Sequence, residues 1–450
     1  MNRIRSIITG LLVLSVLALV FAVKPQAQDL ASKIDEYMSA LAKQERFSGS
    51  VLVARDGKVL FSRGYGMANL EFEVPNTPQT KFRIGSVTKQ FTAAAIMLLQ
   101  ERGNLSVQDP VCKYLAKCPP AWDQITIHHL LTHTSGIPNF TNFPEYAKTM
   151  TIPATVDELL DRFKDRPLDF KPGEKMSYSN SGYVTLGAVV EKASGTSYRH
   201  FLWLNVFEPL KMTSSGYDTP DQILKNRAAG YSMNNGRKIN ASYLDMTIPH
   251  GAGALYSTVE DLFIWNEALF NDKLLSAKSR EAMMTPVLNN YAYGLDVDRK
   301  FNRKVVGHSG RINGFMTVLT RFPEEKVTVV VLRNADFGTP APGRISDDLA
   351  AIVFGETYDI PRNRVVVQVD PKIYDAYVGK YQVASDFVFD VIRDGDRLMG
   401  APVGAPKLQL LPESETKFFA REIDADVTFV KDEKGQVTGL ILNRRQGKKL

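Results

Sequence analysis

The chain predicts an α/β fold of the α+β type: an antiparallel sheet flanked by helices, an all-helical insertion, and a small all-β domain at the C-terminus. Three observations carry this. β-rich pairs of runs lie at residues 50–62 and again at 314–332, helical patterns and loops fill the sequence between them, and beyond Gly355 short alternating segments take over. A sheet built from both ends of the main segment, with the helical part between, is the simplest arrangement of those elements.

The elements follow in order. Arg3 and Arg5 precede an apolar run with no charge until Lys24, the layout of a secretory signal over residues 1–27. Export to the periplasm or the cell exterior is therefore expected. Left uncleaved, Ile7 to Val23 would tether the chain instead, since a span needs about 17 apolar residues. In the main domain, 28–358, Leu30, Ile34, Met38 and Leu41 form a helical stripe over 29–45. Ser50–Ala54 and Lys58–Ser62 read as a hairpin around Asp56-Gly57. Phe91–Leu99 is apolar and alanine-rich, with Gly103 as a helix stop. Gly314–Phe322 and Val327–Leu332 form the second strand pair, and a closing helix spans about 346–353. In the final domain, 359–450, the strands are Val365–Val369, Phe387–Ile392, Leu408–Leu411, Val427–Val430 and Val437–Leu442, parted by turns such as Asp394-Gly395-Asp396. They suggest a small barrel or sandwich, and no catalytic constellation falls among them.

Composition narrows the function. With 44% hydrophobic and 10% aromatic residues the chain is globular rather than disordered or fibrous. Lys+Arg 55 against Asp+Glu 49 gives +6, and loss of Arg3 and Arg5 would leave +4, too small and too evenly spread for a nucleic-acid partner. Two cysteines, Cys112 and Cys118, make neither a disulfide scaffold nor a metal ligand set, although export would permit a bond between them.

Three segments carry candidate chemistry. Ser86-Val-Thr-Lys89 opens the apolar helix and puts an amine on the same face as a hydroxyl. A serine needs a base to take its proton, and a desolvated lysine can be one; taken alone, the same pattern describes a capping serine beside a solvated lysine. Tyr178-Ser-Asn180 follows a Pro-Gly turn. Nearby cations could lower the tyrosine and make it a general base, and the asparagine could offer its amide to a substrate carbonyl; a loop tyrosine and a cap are the plain alternative. Val306-Gly-His308-Ser-Gly310-Arg311 precedes a β run. Gly310 would let substrate approach the backbone so that the Arg311 amide helps an oxyanion, and His308 would present a donor or a cation. The plain alternative there is a hairpin loop.

In order and spacing these three segments resemble the motifs of the penicillin-recognising serine hydrolases, the group of class C β-lactamases, D-peptidases and related esterases. Ile127–Ile137 and Gly251–Leu262 also look like segments of that family. The resemblance covers about residues 30 to 355. It implies a β-lactamase/transpeptidase-like fold in which Ser86 is the acylated nucleophile, Lys89 its activator and Tyr178 the general base. Asn180, His308 and Gly310 would bind substrate, and the backbone amides of Ser86 and Arg311 would form the oxyanion hole. The departure is His308, where β-lactamases of this group usually have lysine. A histidine is at least half neutral near pH 7, so a substrate carboxylate should bind less well. Expected substrates rank as D-amino-acid peptides or peptidoglycan stems, then small esters, then β-lactams. A non-catalytic ligand sensor of the same fold is the alternative.

No cofactor is implied. His128, His129 and His133 lack the glutamate of a zinc-binding helix motif and a convincing third ligand, so no obligatory metal is expected. Partners would be a small-molecule or peptide substrate and cell-wall peptidoglycan.

Overall fold

A computed structural model describes residues 29–450 except 235, 363, 385–386, 421–424 and 444. The expected signal, 1–27, lies outside the described residues. The chain divides into two compact units that meet in sequence at Ile360 and Pro361, with 338–341 counted in the second.

The first unit is built on a six-stranded antiparallel sheet. Its strands are β1 (Gly49–Arg55), β2 (Lys58–Tyr65), β3 (Asp296–Lys300), β4 (Arg303–Ile312), β5 (Phe315–Phe322) and β6 (Val327–Arg333), in the order β3-β4-β5-β6-β1-β2. The β1–β2 turn has positive φ at both Asp56 and Gly57, the geometry that two-residue hairpins favour. β1 joins the late strands through β6, with Val51 opposite Val331, so the sheet does unite both ends of the segment.

The central strand β6 is buried on both faces, and its alternation splits the unit's core in two. Val329 and Val331 pack with helix α1 (29–43) and helix α4 (Pro342–Phe354) on one side. Val330 and Leu332 belong to the larger core on the other side, shared with the helical insertion. Tyr37 of α1 ties its helix to α4 by donating to Asp348 Oδ2 at 2.9 Å. The closing helix starts at Pro342, four residues earlier than expected, because proline is tolerated in a first helical turn.

Within the insertion, helix α2 (Thr88–Glu101) is buried from Thr88 to Leu99, which its alanines permit. It ends as expected at Gly103, whose φ of 72° lets Asn104 N–H bond Leu99 O and Gly103 N–H bond Gln100 O. Helix α3 (Asn180–Ser194) packs beside it and ends at Gly195 in the same left-handed conformation.

The second unit is a closed antiparallel barrel of eight strands running from Gly379–Ala384 to Arg445–Lys449. Tyr381 opposite Lys449 closes it, and Tyr377 stacks on Phe429 at 4.0 Å in its core. The expected strand Val365–Val369 is not one. Val367 N–H bonds Pro412 O at the end of the strand Leu408–Pro412, but no ladder follows among the described residues, and Val365 and Val366 stay exposed. Cys112 and Cys118 are disulfide-bonded.

In the larger core Phe91 of α2 stacks on Trp265 at 4.0 Å, both fully buried. Phe91→Ala is expected to destabilise the first unit by about 3–5 kcal/mol, read as a shift in its denaturant midpoint.

Candidate active site

The site forms where the start of α2, the start of α3, the segment 250–253 and the far end of β4 meet. Ser86 sits in a 3₁₀ turn (Gly85–Val87) immediately before α2 rather than in the helix itself, and Lys89 follows as the second residue of α2. Ser86 is partly exposed, whereas Lys89 is fully buried.

The ammonium of Lys89 reaches three oxygens: Ser86 Oγ at 3.1 Å, Asn180 Oδ1 at 2.9 Å and the backbone carbonyl of Ala252 at 2.9 Å. It also lies 4.7 Å from the ring centroid of Tyr178 and 5.4 Å from that of Tyr183. No acidic side chain opposes the cost of burial, which pushes Lys89 well below an ordinary lysine. As a neutral amine it can donate to Asn180 and Ala252 and turn its lone pair to the Ser86 hydroxyl. Lys89, Ser86 and Asn180, singled out from sequence, are thus brought together.

Asn180 is the first residue of α3. Its side-chain amide donates to Thr141 Oγ1 at 3.3 Å, and its backbone N–H donates to Asn139 Oδ1 at 3.1 Å. Tyr178 precedes it in an irregular stretch. The expected lowering of its phenol does not occur. Burial pushes Tyr178 up, the Asp296 charge adds to that, and the Ser86 hydroxyl opposes it only in part. Tyr178 therefore rests protonated, as a proton donor.

His308 and Gly310 do not precede a strand; they lie inside β4, which runs on to Ile312 because residues 306–312 all pair with β5. The β4–β5 hairpin turns over Asn313-Gly314, with Ile312 opposite Phe315 and Gly310 opposite Thr317. In a two-residue hairpin the closing pair is hydrogen-bonded and bonding alternates along the ladder. The Arg311 amide therefore points away from β5, towards an edge that β3 does not cover beyond Gly307. The turn at Ser86 lies on that edge. A Cβ on Gly85 would stand 3.0 Å from Arg311 N, and one on Gly310 would stand 2.1 Å from the Ile84 carbonyl. Both glycines are needed for the approach that sets the Ser86 and Arg311 backbones side by side.

His308 is buried. Its Nε2 accepts from the Tyr291 hydroxyl at 3.1 Å, and its Nδ1 bonds the Ser309 carbonyl, which fixes the proton on Nδ1. Desolvation, with Lys89 nearby, pushes it down to about 3. It is a neutral internal histidine, not the partial cation its reference value suggests.

Three contributors carried no assigned role in the sequence reading. The Ala252 carbonyl holds Lys89, and its segment fits against α3 because a Cβ on Gly251 would stand 2.6 Å from the Tyr183 carbonyl. Tyr291 holds His308. Gly294, with φ of 69°, lets the Tyr291–Leu295 loop touch the backbone of Lys89, where a Cβ would approach Lys89 O to 2.6 Å. His133 is buried, accepts from Ser179 N–H at 3.1 Å, and packs its ring at a tilt 4.3 Å from that of Tyr178, so it supports the tyrosine. His128 and His129 turn their Nδ1 atoms to Tyr293 and to the Thr126 amide. A cleft of about 170 Å³ opens beside Ser86, lined by Phe140, Tyr146, Asn180, Leu244 and Arg311 among others.

A buried amine against a partly exposed serine, with two backbones aligned beside it, is the machinery of an activated-serine hydrolase. Sequence comparison agrees: residues 30–352 match the family described as Beta-lactamase, and residues 363–450 match a domain of unknown function (DUF3471). The chain belongs to the beta-lactamase family and is a serine hydrolase of the penicillin-recognising superfamily. Penicillin-binding protein 4* of Bacillus subtilis (strain 168) is 30% identical over 90% of this chain and 95% of its own. Teichoic acid D-alanine hydrolase of Staphylococcus aureus (strain MRSA252) is 29% identical over 67% of this chain and 73% of its own. The octameric penicillin-binding protein homologue from Pyrococcus abyssi is 30% identical, with a TM-score of 0.67 over 93% of this chain and 99% of that one.

Burial also makes a prediction about stability. His308 and His250, the latter pushed down to about 4, are neutral when folded but take a proton near 6.5 when unfolded. The unfolded chain therefore binds more protons as pH drops below about 6.5, and stability falls towards pH 4 and 3. A thermal midpoint lower at pH 4.5 than at pH 7 is expected, with a smaller drop in His308→Gln.

Proposed function

We propose that this chain is an exported hydrolase that cleaves D-amino-acid amides, peptides or esters through an acyl-enzyme on Ser86. The observation that carries this reading is the contact of a buried, carboxylate-free Lys89 with the Ser86 hydroxyl at 3.1 Å.

In the proposed sequence the Lys89 lone pair takes the hydroxyl proton as Ser86 Oγ bonds to the substrate carbonyl carbon. The resulting oxyanion is held by the backbone N–H groups of Ser86 and Arg311. Asn180, fixed by Lys89 and Thr141, orients the substrate amide. Tyr178, resting protonated, gives its proton to the leaving nitrogen or oxygen as the carbonyl bond to it breaks, and regains one from the Lys89 ammonium. A water repeats the steps in reverse roles and frees Ser86. His308 and Gly310 are assigned to shaping the substrate edge of β4.

The relatives and His308 both bear on substrate class. Relatives named for D-alanine hydrolysis and penicillin binding favour D-aminoacyl substrates. A neutral His308 disfavours β-lactams, which carry a carboxylate. Small molecules or peptides, with peptidoglycan as the polymer from which they come, are the proposed partners. Export is supported by the charged and apolar start of the sequence and by the Cys112–Cys118 bond, which oxidising compartments preserve. Periplasmic or extracellular placement follows from it. The proposed domains are 28–358, which holds the chemistry, and 359–450, an accessory barrel.

Intact mass after treatment with a fluorophosphonate is expected to show one adduct on wild-type protein and none on Ser86→Ala; an adduct that persists in the variant overturns the assignment. Lys89→Arg keeps a cation but cannot supply a lone pair. It is expected to lower the rate of fluorophosphonate inactivation about 10²- to 10⁴-fold, as much as Lys89→Ala does. Retained reactivity in Lys89→Arg would make the lysine an electrostatic element only.

A further inference from the structure

We propose that the chain carries a second ligand site, separate from the cleft beside Ser86, that takes an acidic sugar: a pyranose ring bearing a carboxylate or a phosphate. It goes beyond the acyl-enzyme reading and does not rest on it.

The site is a hollow of about 730 Å³, inside the range of about 300–1,000 Å³ that small-ligand sites occupy. It shares no lining residue with the Ser86 cleft. One wall comes from the short helix Tyr198–Leu202 and the π-helical turn Trp203–Phe207 that follows it. Thr213, Gly216 and Tyr256 contribute to the other. A Cβ on Gly216 would stand 2.7 Å from the Tyr256 hydroxyl, so the glycine lets that ring lie against the backbone.

Trp203 supplies an apolar face. Of the three tryptophans, Trp122 and Trp265 are fully buried, whereas Trp203 is 50% exposed and lines the hollow. A lone aromatic on a convex surface calls for no explanation, but one set in a concavity offers a ligand a flat apolar plate. The His200 ring stands beside it, 15° from parallel, with centroids 6.1 Å apart. Around this plate lie polar groups that the protein leaves unused. Among the described residues, the Arg199 guanidinium, the His200 ring nitrogens and the hydroxyls of Thr196 and Thr213 make no hydrogen bond. No carboxylate lines the hollow, and Asp221, near enough to feel the Arg199 charge, forms no ion pair with it.

The combination decides the ligand class. A purely aromatic ligand would cover the indole and leave the hydroxyls unpaired, and a free inorganic anion would take Arg199 and leave the indole bare. An acidic pyranose uses both. Its C–H face lies on the indole, its hydroxyls meet the threonine hydroxyls, and its anion takes the planar guanidinium, which grips carboxylate and phosphate in the same two-pronged way.

Protein labelled with ¹⁵N at tryptophan reports on the site directly, since the indole N–H of Trp203 is assigned by its loss in Trp203→Phe. N-acetylglucosamine, N-acetylglucosamine 6-phosphate and N-acetylmuramic acid share a pyranose ring, to which the second adds a phosphate and the third a carboxylate. Titrated to about 10 mM, at least one of the two acids is expected to move the Trp203 resonance with an affinity about tenfold or more above that of the neutral sugar. Which acid does so tells a phosphosugar from a carboxysugar. Arg199→Gln is expected to abolish that advantage and leave the neutral sugar as it was. Trp203→Ala, followed by calorimetry, is expected to weaken the preferred acid about tenfold or more. The proposal is overturned if no sugar moves the Trp203 resonance, if the neutral sugar binds as well as the acids, or if the preference persists in Arg199→Gln. It is also overturned if inorganic phosphate or D-lactate alone binds as tightly as the matching sugar acid. Should Trp203→Ala fail to fold, the exposed Arg199→Gln and the two free anions still decide it.

Discussion

The site depends on one constraint: the amino group of Lys89 is buried with no anion to pair it. An unpaired buried ammonium is costly, so the group responds by giving up its proton more readily than an ordinary lysine does. The neighbours suit that outcome. Asn180 Oδ1 and the Ala252 carbonyl accept two amine hydrogens, and the faces of Tyr178 and Tyr183 fill the remaining space. The same lack of charge spreads outward. Burial holds His133 and His308 neutral and keeps Tyr178 protonated.

Backbone proximity is the second element, and it rests on missing side chains. Gly85 and Gly310 let the serine turn reach the β4 edge, Gly251 lets the Ala252 carbonyl reach Lys89, and Gly294 lets the Tyr291 loop reach α2. At each of these places a Cβ would meet backbone atoms, which cannot rotate aside. Two layers of sheet and helix thereby converge on one serine, and the rigid β5–β6 ladder behind β4 holds the edge in place.

Much of this was legible in the sequence. The Asp56-Gly57 turn, the Gly103 stop and the β-rich β6 run were read through local rules that the tertiary structure leaves intact. The order Ser86-x-x-Lys89, Tyr178-x-Asn180, His308-x-Gly310 placed the chemistry. What escaped was decided by distant partners. Val365–Val369 has strand propensity, but its bond to the strand Leu408–Pro412 is not repeated into a ladder. The Gly-His-Ser-Gly stretch looks like a loop by composition, yet pairing with β5 makes it strand. The Ala252 carbonyl leaves no side-chain signature, although Gly251 and Gly253 around it mark a close approach. Tyr178 was expected to be lowered by nearby cations and His308 was read from its reference value, but burial that only the fold creates sets both.

The central claim is that Lys89 gives up its proton far more readily than an ordinary lysine, and it is open to direct titration. Nuclear magnetic resonance of protein labelled with ¹³C at lysine Cε, with Lys89 assigned by its absence in Lys89→Met, follows that amine alone. A midpoint well below the 10.5 of an ordinary lysine is the result this account predicts. A midpoint at or above 10.5 would mean that Lys89 stays charged at working pH, and would contradict its role as the base for Ser86.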